Sequence, residues 1–176
     1  MQKLKNEELN RLSSEQFKTA AKTPIVLVLD NIRSLHNVGS AFRTADAFLI
    51  EKIYLCGVTG SPPNKEIEKT ALGATSTVEW VYVKNTLDAI HELKKNKYKI
   101  YSVEQADNSI KLNKLDDIQN EQIALVFGNE VYGVAEAVIE LSDAVIEIPQ
   151  LGTKHSLNIS VSVGIVMWEF IKGSIK

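Results

Sequence analysis

One cysteine among 176 residues leaves no intramolecular disulfide to build, and no segment approaches the ~20 consecutive apolar residues that a bilayer-spanning helix requires. Cys56 closes the apolar run Lys52–Cys56 and reads as a small buried hydrophobe rather than a reactive thiol, so a reducing, cytoplasmic location is expected. The opening MQKLKNEELNRL is too polar for a secretory leader, and no membrane association is expected. His36, His91 and His155 stand far apart and away from the cysteine, without metal-ligand spacing, so no metal site is expected either. The formal net charge of −2 gives no overall bias toward a polyanion. With 44% hydrophobic and 24% charged residues, the composition is that of a soluble globular protein, and the length suits one α/β domain.

The charge that is present is unevenly spread. Residues 1–22 carry Lys3, Lys5, Arg11, Lys18 and Lys22 against three glutamates, and Lys94, Lys95, Lys97 and Lys99 cluster further on. From Glu104 to Glu147 the balance turns acidic. One basic face toward a polyanion and a merely solvated surface both fit this pattern.

From Glu7 to Ala21 the periodicity is helical, with Ser13 and Gln16 spaced as a capping box and Pro24 beyond the end. Ile25–Leu29 is a continuous aliphatic run, as a strand buried on both faces requires. A helix over Asn37–Phe48 and a strand over Lys52–Cys56 complete a βαβ unit. A short helix over Lys65–Leu72 follows, then a strand over Glu79–Val83, a helix capped by Thr86 and running to Asn96, and a strand over Lys99–Val103. Gln105–Asn120 reads as loop with a short extended piece. Ile123–Phe127 and Ala144–Ile148 are further strands, and a final helix runs from near Ser156 to Ile171. This alternation predicts an α/β domain, residues 23–176, with a mostly parallel sheet flanked by helices and residues 1–22 as a helical extension.

Ligands of such sheets sit beyond the carboxyl ends of the strands. Three loops there stand out. The first, Asp30–Arg43, holds N-x-G-x-x-x-R with Asn37 and Arg43, and its small residues Gly39, Ser40 and Ala41 allow close approach by a backbone or a ligand. Asn37 as a helix cap and an Arg43–Asp46 pair remain open as purely structural readings. The second, Gly128-Asn129-Glu130-Val131-Tyr132-Gly133, puts a carboxylate on a glycine turn but is neither a Walker A loop nor a dinucleotide fingerprint. The third, Ile148–Gly164, delivers Ser156 and Asn158 to an apolar helix. Ser156 there can serve as an N-cap, while Asn158, Ser160 and Ser162 need partners, some of them expected from a ligand or another chain. Ser156 beside His155 does not make a hydrolase, because neighbouring side chains diverge and no G-x-S-x-G elbow is present.

Taken in order, N-x-G-x-x-x-R after the first strand, G-N-E-x-x-G after a late one and I-P-x-x-G-x-x-x-S-L-N-x-S-V before the last helix, these loops resemble the SpoU/TrmH family of the SPOUT methyltransferases over about residues 24–172. The resemblance implies a C-terminal deep trefoil knot and S-adenosylmethionine as cofactor. It also implies a homodimer and methyl transfer to a ribose 2′-hydroxyl of tRNA or rRNA, with tRNA expected in preference. Carried over by position, Arg43, Asn37, Glu130, Ser156 and Asn158 are the catalytic residues, and Val103, Gly128, Ile148 and Leu157 mark the loops that hold the cofactor. Since neither a separate N-terminal RNA-binding domain nor a long C-terminal arm is expected, residues 1–22 and Lys94–Lys99 are the candidate RNA grips, through phosphate contacts. A non-catalytic RNA-binding or assembly protein on the same fold is the alternative, as is a nucleotide-binding enzyme on an ordinary doubly wound sheet.

Overall fold

The aliphatic run at residues 25–29 forms the middle of the molecule. In the computed structural model, which describes residues 1–115 and 121–173, it belongs to β1 (Thr23–Asp30). Alternate side chains of β1 enter two separate cores: Ile25, Leu27 and Leu29 one, Val26 and Val28 the other. Parallel partners lie on both sides, β2 (Ile50–Cys56) and then β3 (Glu79–Val83) toward one edge. Toward the other edge come β6 (Ile123–Phe127), β4 (Lys99–Val103), β7 (Ala144–Glu147) and β5 (Ile110–Lys111). Leu27 stands level with Ile53 on one side and Leu125 on the other. Every pairing among these strands is parallel, so all their carboxyl ends face the same way.

Helices cover both faces. The first core packs α2 (Leu35–Ala47), α3 (Lys65–Ala71) and α6 (Ile159–Ile171) on the sheet, through Val38, Phe42, Ile67, Val163 and Met167. The second packs α4 (Thr86–Lys95) and α5 (Glu136–Leu141), through Ile90, Leu93 and Val138. Cys56 is fully buried in that second core, and burial pushes its thiol up to about 12.

Several expected boundaries move, each for a local reason. The helix expected over Glu7–Ala21 is a 3-10 turn, Asn6–Leu9, followed by α1 (Ser14–Thr19). Asn10 adopts a left-handed backbone that interrupts the first piece, and the Ser13–Gln16 capping box restarts the second. Phe17 of α1 is buried in the first core, with the Lys22 ammonium over its ring. Asn85 rather than Thr86 caps α4, since the Thr86 hydroxyl is turned inward to Asp30. The last helix starts three residues later than expected because Asn158, not Ser156, is its cap. Within the expected loop over Gln105–Asn120, β5 supplies the extended piece and Leu112–Lys114 a 3-10 turn, while residues 116–120 lie outside the described residues. The helix α5 was not expected: its cap residue is Ala135, which offers no side-chain oxygen, and the Ala135 amide donates instead to Asp30 Oδ2 at 3.2 Å.

Lys94–Lys99 joins the end of α4 to the start of β4, at the amino end of the sheet, opposite to the loops singled out by sequence. Lys94 is also occupied, donating to the Leu141 carbonyl at 2.6 Å and lying 3.6 Å from Asp143. Residues 1–22 lead into β1 at that same amino end.

Gly39 settles the small-residue question on α2. A Cβ there would run into the Ile67 carbonyl and the Thr70 hydroxyl of α3, so the glycine allows two helices to touch and leaves no room for a ligand. Gly39→Ala is expected to lower the unfolding free energy by about 1–3 kcal/mol in urea titration, overpacking outweighing the ~1 kcal/mol gain in helix propensity.

Candidate functional site

Beyond the carboxyl ends of β4, β6 and β7 lies a cavity of about 700 Å³, within the range of small-molecule sites. Val103 and Glu104 at the end of β4, Phe127–Val134 after β6, Ile148 after β7 and His155–Ile159 before α6 line it. The structure therefore brings Val103, Gly128, Ile148 and Leu157 around one chamber, together with Glu130, Ser156 and Asn158. Asn37 and Arg43 do not line it.

The loops are tied to one another before any ligand arrives. Asp30, almost wholly buried at the end of β1, accepts from the Asn31 side-chain Nδ2 at 2.8 Å, the Thr86 hydroxyl at 2.5 Å and the Ala135 backbone amide at 3.2 Å. This satisfies a carboxylate that burial would otherwise destabilise. The buried Thr59 hydroxyl accepts from the Ile32 amide and donates to the Leu29 carbonyl, both at 2.9 Å, which shapes the loop after β1. Asn129 Nδ2 donates to the Asn31 carbonyl at 2.7 Å, and its Oδ1 accepts from the amides of Val131 and Tyr132. Backbone bonds in both directions between Asn129 and Gly133 close the turn that carries Glu130. Gly128 has no room for a Cβ, which would overlap the Gly133 carbonyl carbon and the Val134 nitrogen.

At the tip of that turn Glu130 reaches across to the first loop. Its two oxygens accept from the Arg33 and Ser34 amides, each at 3.0 Å, and Oε1 also accepts from Asn37 Nδ2 at 3.1 Å. Desolvation alone would raise its pKa, but the bonds from Arg33, Ser34, its own amide and Asn37 outweigh it and hold the carboxyl below its ordinary value. Asn37 Oδ1 in turn accepts from Asn158 Nδ2 at 3.2 Å. Glu130, Asn37 and Asn158, from three distant parts of the chain, thus form one hydrogen-bonded relay at the edge of the cavity.

Several local expectations are corrected here. Asn37 is not the cap of α2; Ser34 is, accepting from the Asn37 amide. Arg43 and Asp46 are not paired: Asp46 accepts from the Thr77 hydroxyl at 2.5 Å, and Arg43 lies exposed on α2, nearly two turns beyond Asn37 and on a different side of the helix. Ser160 and Ser162 are served within their own helix, bonding to Asn158 Oδ1 and the Asn158 carbonyl, because the first turn of α6 supplies the acceptors locally. Ser156 is an exposed residue of the cavity wall. Asp30, Asn129 and Glu104 were not picked out by sequence, although each directly follows a buried strand or sits inside a quoted motif; the position just past a strand was the usable signal. Among the described residues no group of His, Cys, Asp and Glu is arranged to hold a metal ion, and no helix is long and apolar enough to cross a membrane.

These features define an α/β protein with a cavity over the carboxyl ends of parallel strands, the place where such sheets take their ligands. The model of the SpoU rRNA methylase family matches residues 24–168, and the chain belongs to that family. It is 34% identical over 88% of its length to an uncharacterized tRNA/rRNA methyltransferase of Borreliella burgdorferi, of which it covers 66%. It is 33% identical over 85% of its length to the 23S rRNA (guanosine-2′-O-)-methyltransferase RlmB of Neisseria meningitidis, covering 58% of that protein. An AdoMet-bound rRNA methyltransferase from Sinorhizobium meliloti superimposes with a TM-score of 0.81 at 25% identity, over 89% of this chain and 59% of the other. The chain thus spans about three-fifths of the length of these relatives.

The Glu130 clamp has a defined pH signature. Because its folded pKa is depressed, its stabilisation is complete above the unfolded value of ~4.3 and is lost as pH falls through the lower folded value. Glu130→Ala is expected to cost about 1–2 kcal/mol near neutral pH, and urea titrations at falling pH are expected to show the gap between the two proteins closing in acid.

Proposed function

We propose that this chain is an S-adenosylmethionine-dependent RNA methyltransferase acting on a ribose 2′-hydroxyl. The observation that carries the reading is the relay of Glu130, Asn37 and Asn158 at the rim of a cavity whose lining contains three glutamates and no lysine or arginine. Such a lining suits a cationic, adenine-bearing cofactor and is unsuited to a phosphate-bearing nucleotide. When bound, the cofactor supplies a methyl group already activated on sulfur, so no metal is needed. Val103, Gly128, Ile148 and Leu157 are the residues proposed to hold it, largely through backbone groups. Ser156 completes the wall.

Asn37 is proposed to position the substrate ribose: one amide hydrogen is spent on Glu130, and its second finds no acceptor among the described residues. Glu130 and Asn158 fix the orientation of that amide. Arg43 is proposed to grip an RNA phosphate and lower the pKa of the ribose hydroxyl, the proton passing to phosphate or water, because a guanidinium offers donors and no acceptor and so is not a base. Relatives are named for tRNA and rRNA alike; tRNA is the class proposed here, to be tested beside rRNA. A cytoplasmic setting fits the lone buried thiol.

Arg43 does not line the cavity of its own chain, so the reading includes a homodimer in which each copy serves the other's cavity. Val161, Ile165 and Trp168 line one exposed stripe of α6, which packs against α2 where Trp168 meets Phe48 with ring centroids 6.4 Å apart. A deep trefoil knot is part of the same proposal. It is supported by the strand order, in which β6 returns between β1 and β4, and β7 enters between β4 and β5. Residues 1–22 are proposed as an extension of the domain over 23–176.

Calorimetry with S-adenosylmethionine and S-adenosylhomocysteine tests the core of this reading; binding of neither overturns it in favour of a non-catalytic RNA-binding protein. Arg43→Ala is expected to lower methyl transfer to RNA by about 100-fold or more while leaving cofactor affinity within about twofold. Arg43→Lys retains the charge but not the planar fork and is expected to fall in between. Trp168→Glu is expected to yield monomers in sedimentation and to lose transfer with its fold intact.

A further inference from the structure

Glu104 follows β4 directly and faces the cavity. Its backbone is fixed by the Ile146 carbonyl of β7, which accepts from its amide at 3.0 Å. Its carboxylate is held just as firmly. Oε1 accepts from the Gln105 amide at 2.8 Å and Oε2 from the Val134 amide at 3.0 Å, while a Cβ on Gly133 would overlap Oε2. Gly133 has a left-handed backbone at φ +69°, so the turn after β6 is shaped to seat this carboxylate.

The three carboxylates around the cavity differ in what balances them. Glu147 is paired with Lys111 and bonded by Ser109 at 2.6 Å. Glu130 is spent on the two amides and the Asn37 side chain described above. Glu104 is bonded by neutral amides alone and has no cationic partner among the described residues. Amide dipoles stabilise a charge without cancelling its field, and in a half-buried cavity that field acts with little screening.

We infer that Glu104 makes the cavity selective for a cationic ligand, and so for S-adenosylmethionine over its neutral product S-adenosylhomocysteine; this specificity role rests on the methyltransferase reading above. Glu104 faces a positive ligand before transfer. Afterwards the methyl carbon is bonded to the ribose oxygen, sulfur has kept the electron pair of the broken C–S bond as a neutral thioether, and the hydroxyl proton has gone to phosphate or water. Glu104 then has no counter-charge, which favours exchange of product for fresh cofactor. The same carboxylate repels nucleotide phosphates.

The test is calorimetric. With Glu104→Gln, which keeps one acceptor oxygen for the amides, affinity for S-adenosylmethionine is expected to fall about tenfold, equivalent to ~1.4 kcal/mol, while that for S-adenosylhomocysteine changes less than about twofold. Circular dichroism checks that the variant is folded. The unaltered protein provides a second arm with a ligand pair differing by one S-methyl group and the charge it brings: 5′-deoxy-5′-(dimethylsulfonio)adenosine is expected to bind at least about fivefold tighter than neutral 5′-methylthioadenosine. Equal weakening of both cofactor forms in the variant, or equal affinities for that pair in the unaltered protein, overturns the role of Glu104 while leaving the methyltransferase reading in place. Failure of the unaltered protein to bind either S-adenosylmethionine or S-adenosylhomocysteine overturns both.

Discussion

A single carboxylate organises the site. Glu130 projects from a turn closed by reciprocal backbone bonds between Asn129 and Gly133, and it accepts two backbone amides and one side-chain amide from a loop almost a hundred residues earlier. Those donors would otherwise face solvent with no fixed partner. Satisfied by one anion, they hold the start of α2 in register with the end of β6. Asn37 is then presented in a single orientation, which Asn158 confirms from the far side. The proposed chemistry needs a ribose held in one place, and a relay whose members restrict one another supplies such a place without a metal.

The parallel sheet explains why the relay lies where it does. With all the paired strands running the same way, every loop after a strand gathers at one end, and the cavity forms where those after β4, β6 and β7 meet. The same geometry sends the connections before strands to the opposite end. The lysines between α4 and β4, attractive in the sequence as phosphate contacts, therefore stand away from their own cavity, and Lys94 is already engaged with Asp143. Arg43 is exposed on α2 and lies off the cavity, which is why the proposed reaction is paired with a proposed second copy of the chain.

Much of this was readable from residues alone. Strands buried on both faces, such as β1 and β6, announce themselves as unbroken aliphatic runs, because a two-sided core leaves no polar position. The Ser13–Gln16 capping box was equally visible, since its bonds span only three residues, and the loop motifs were visible as residue patterns although their bonds are not local. The helix α5 was not, because what completes its start is Asp30, 105 residues earlier. Cap assignments on α2, α4 and α6 were each displaced by one to three residues, as the most obvious hydroxyl or amide was claimed by a distant partner or by none. Glu104 escaped notice because nothing beside it in the sequence marks its amide donor, Val134, 30 residues away.

The sequence by itself determined the class of fold, the strands that carry it, the three loops worth watching and the family they resemble. These properties depend on periodicity and on neighbours along the chain, where the side-chain pattern acts directly. Only the tertiary structure decided that Asn37, Glu130 and Asn158 touch, that Gly39 serves helix packing, that Arg43 lies off the cavity and that Glu104 stands uncompensated within it. Each of those depends on which groups meet after the sheet has closed, and a hydrogen bond or a charge balance exists only between atoms brought within a few ångströms of each other.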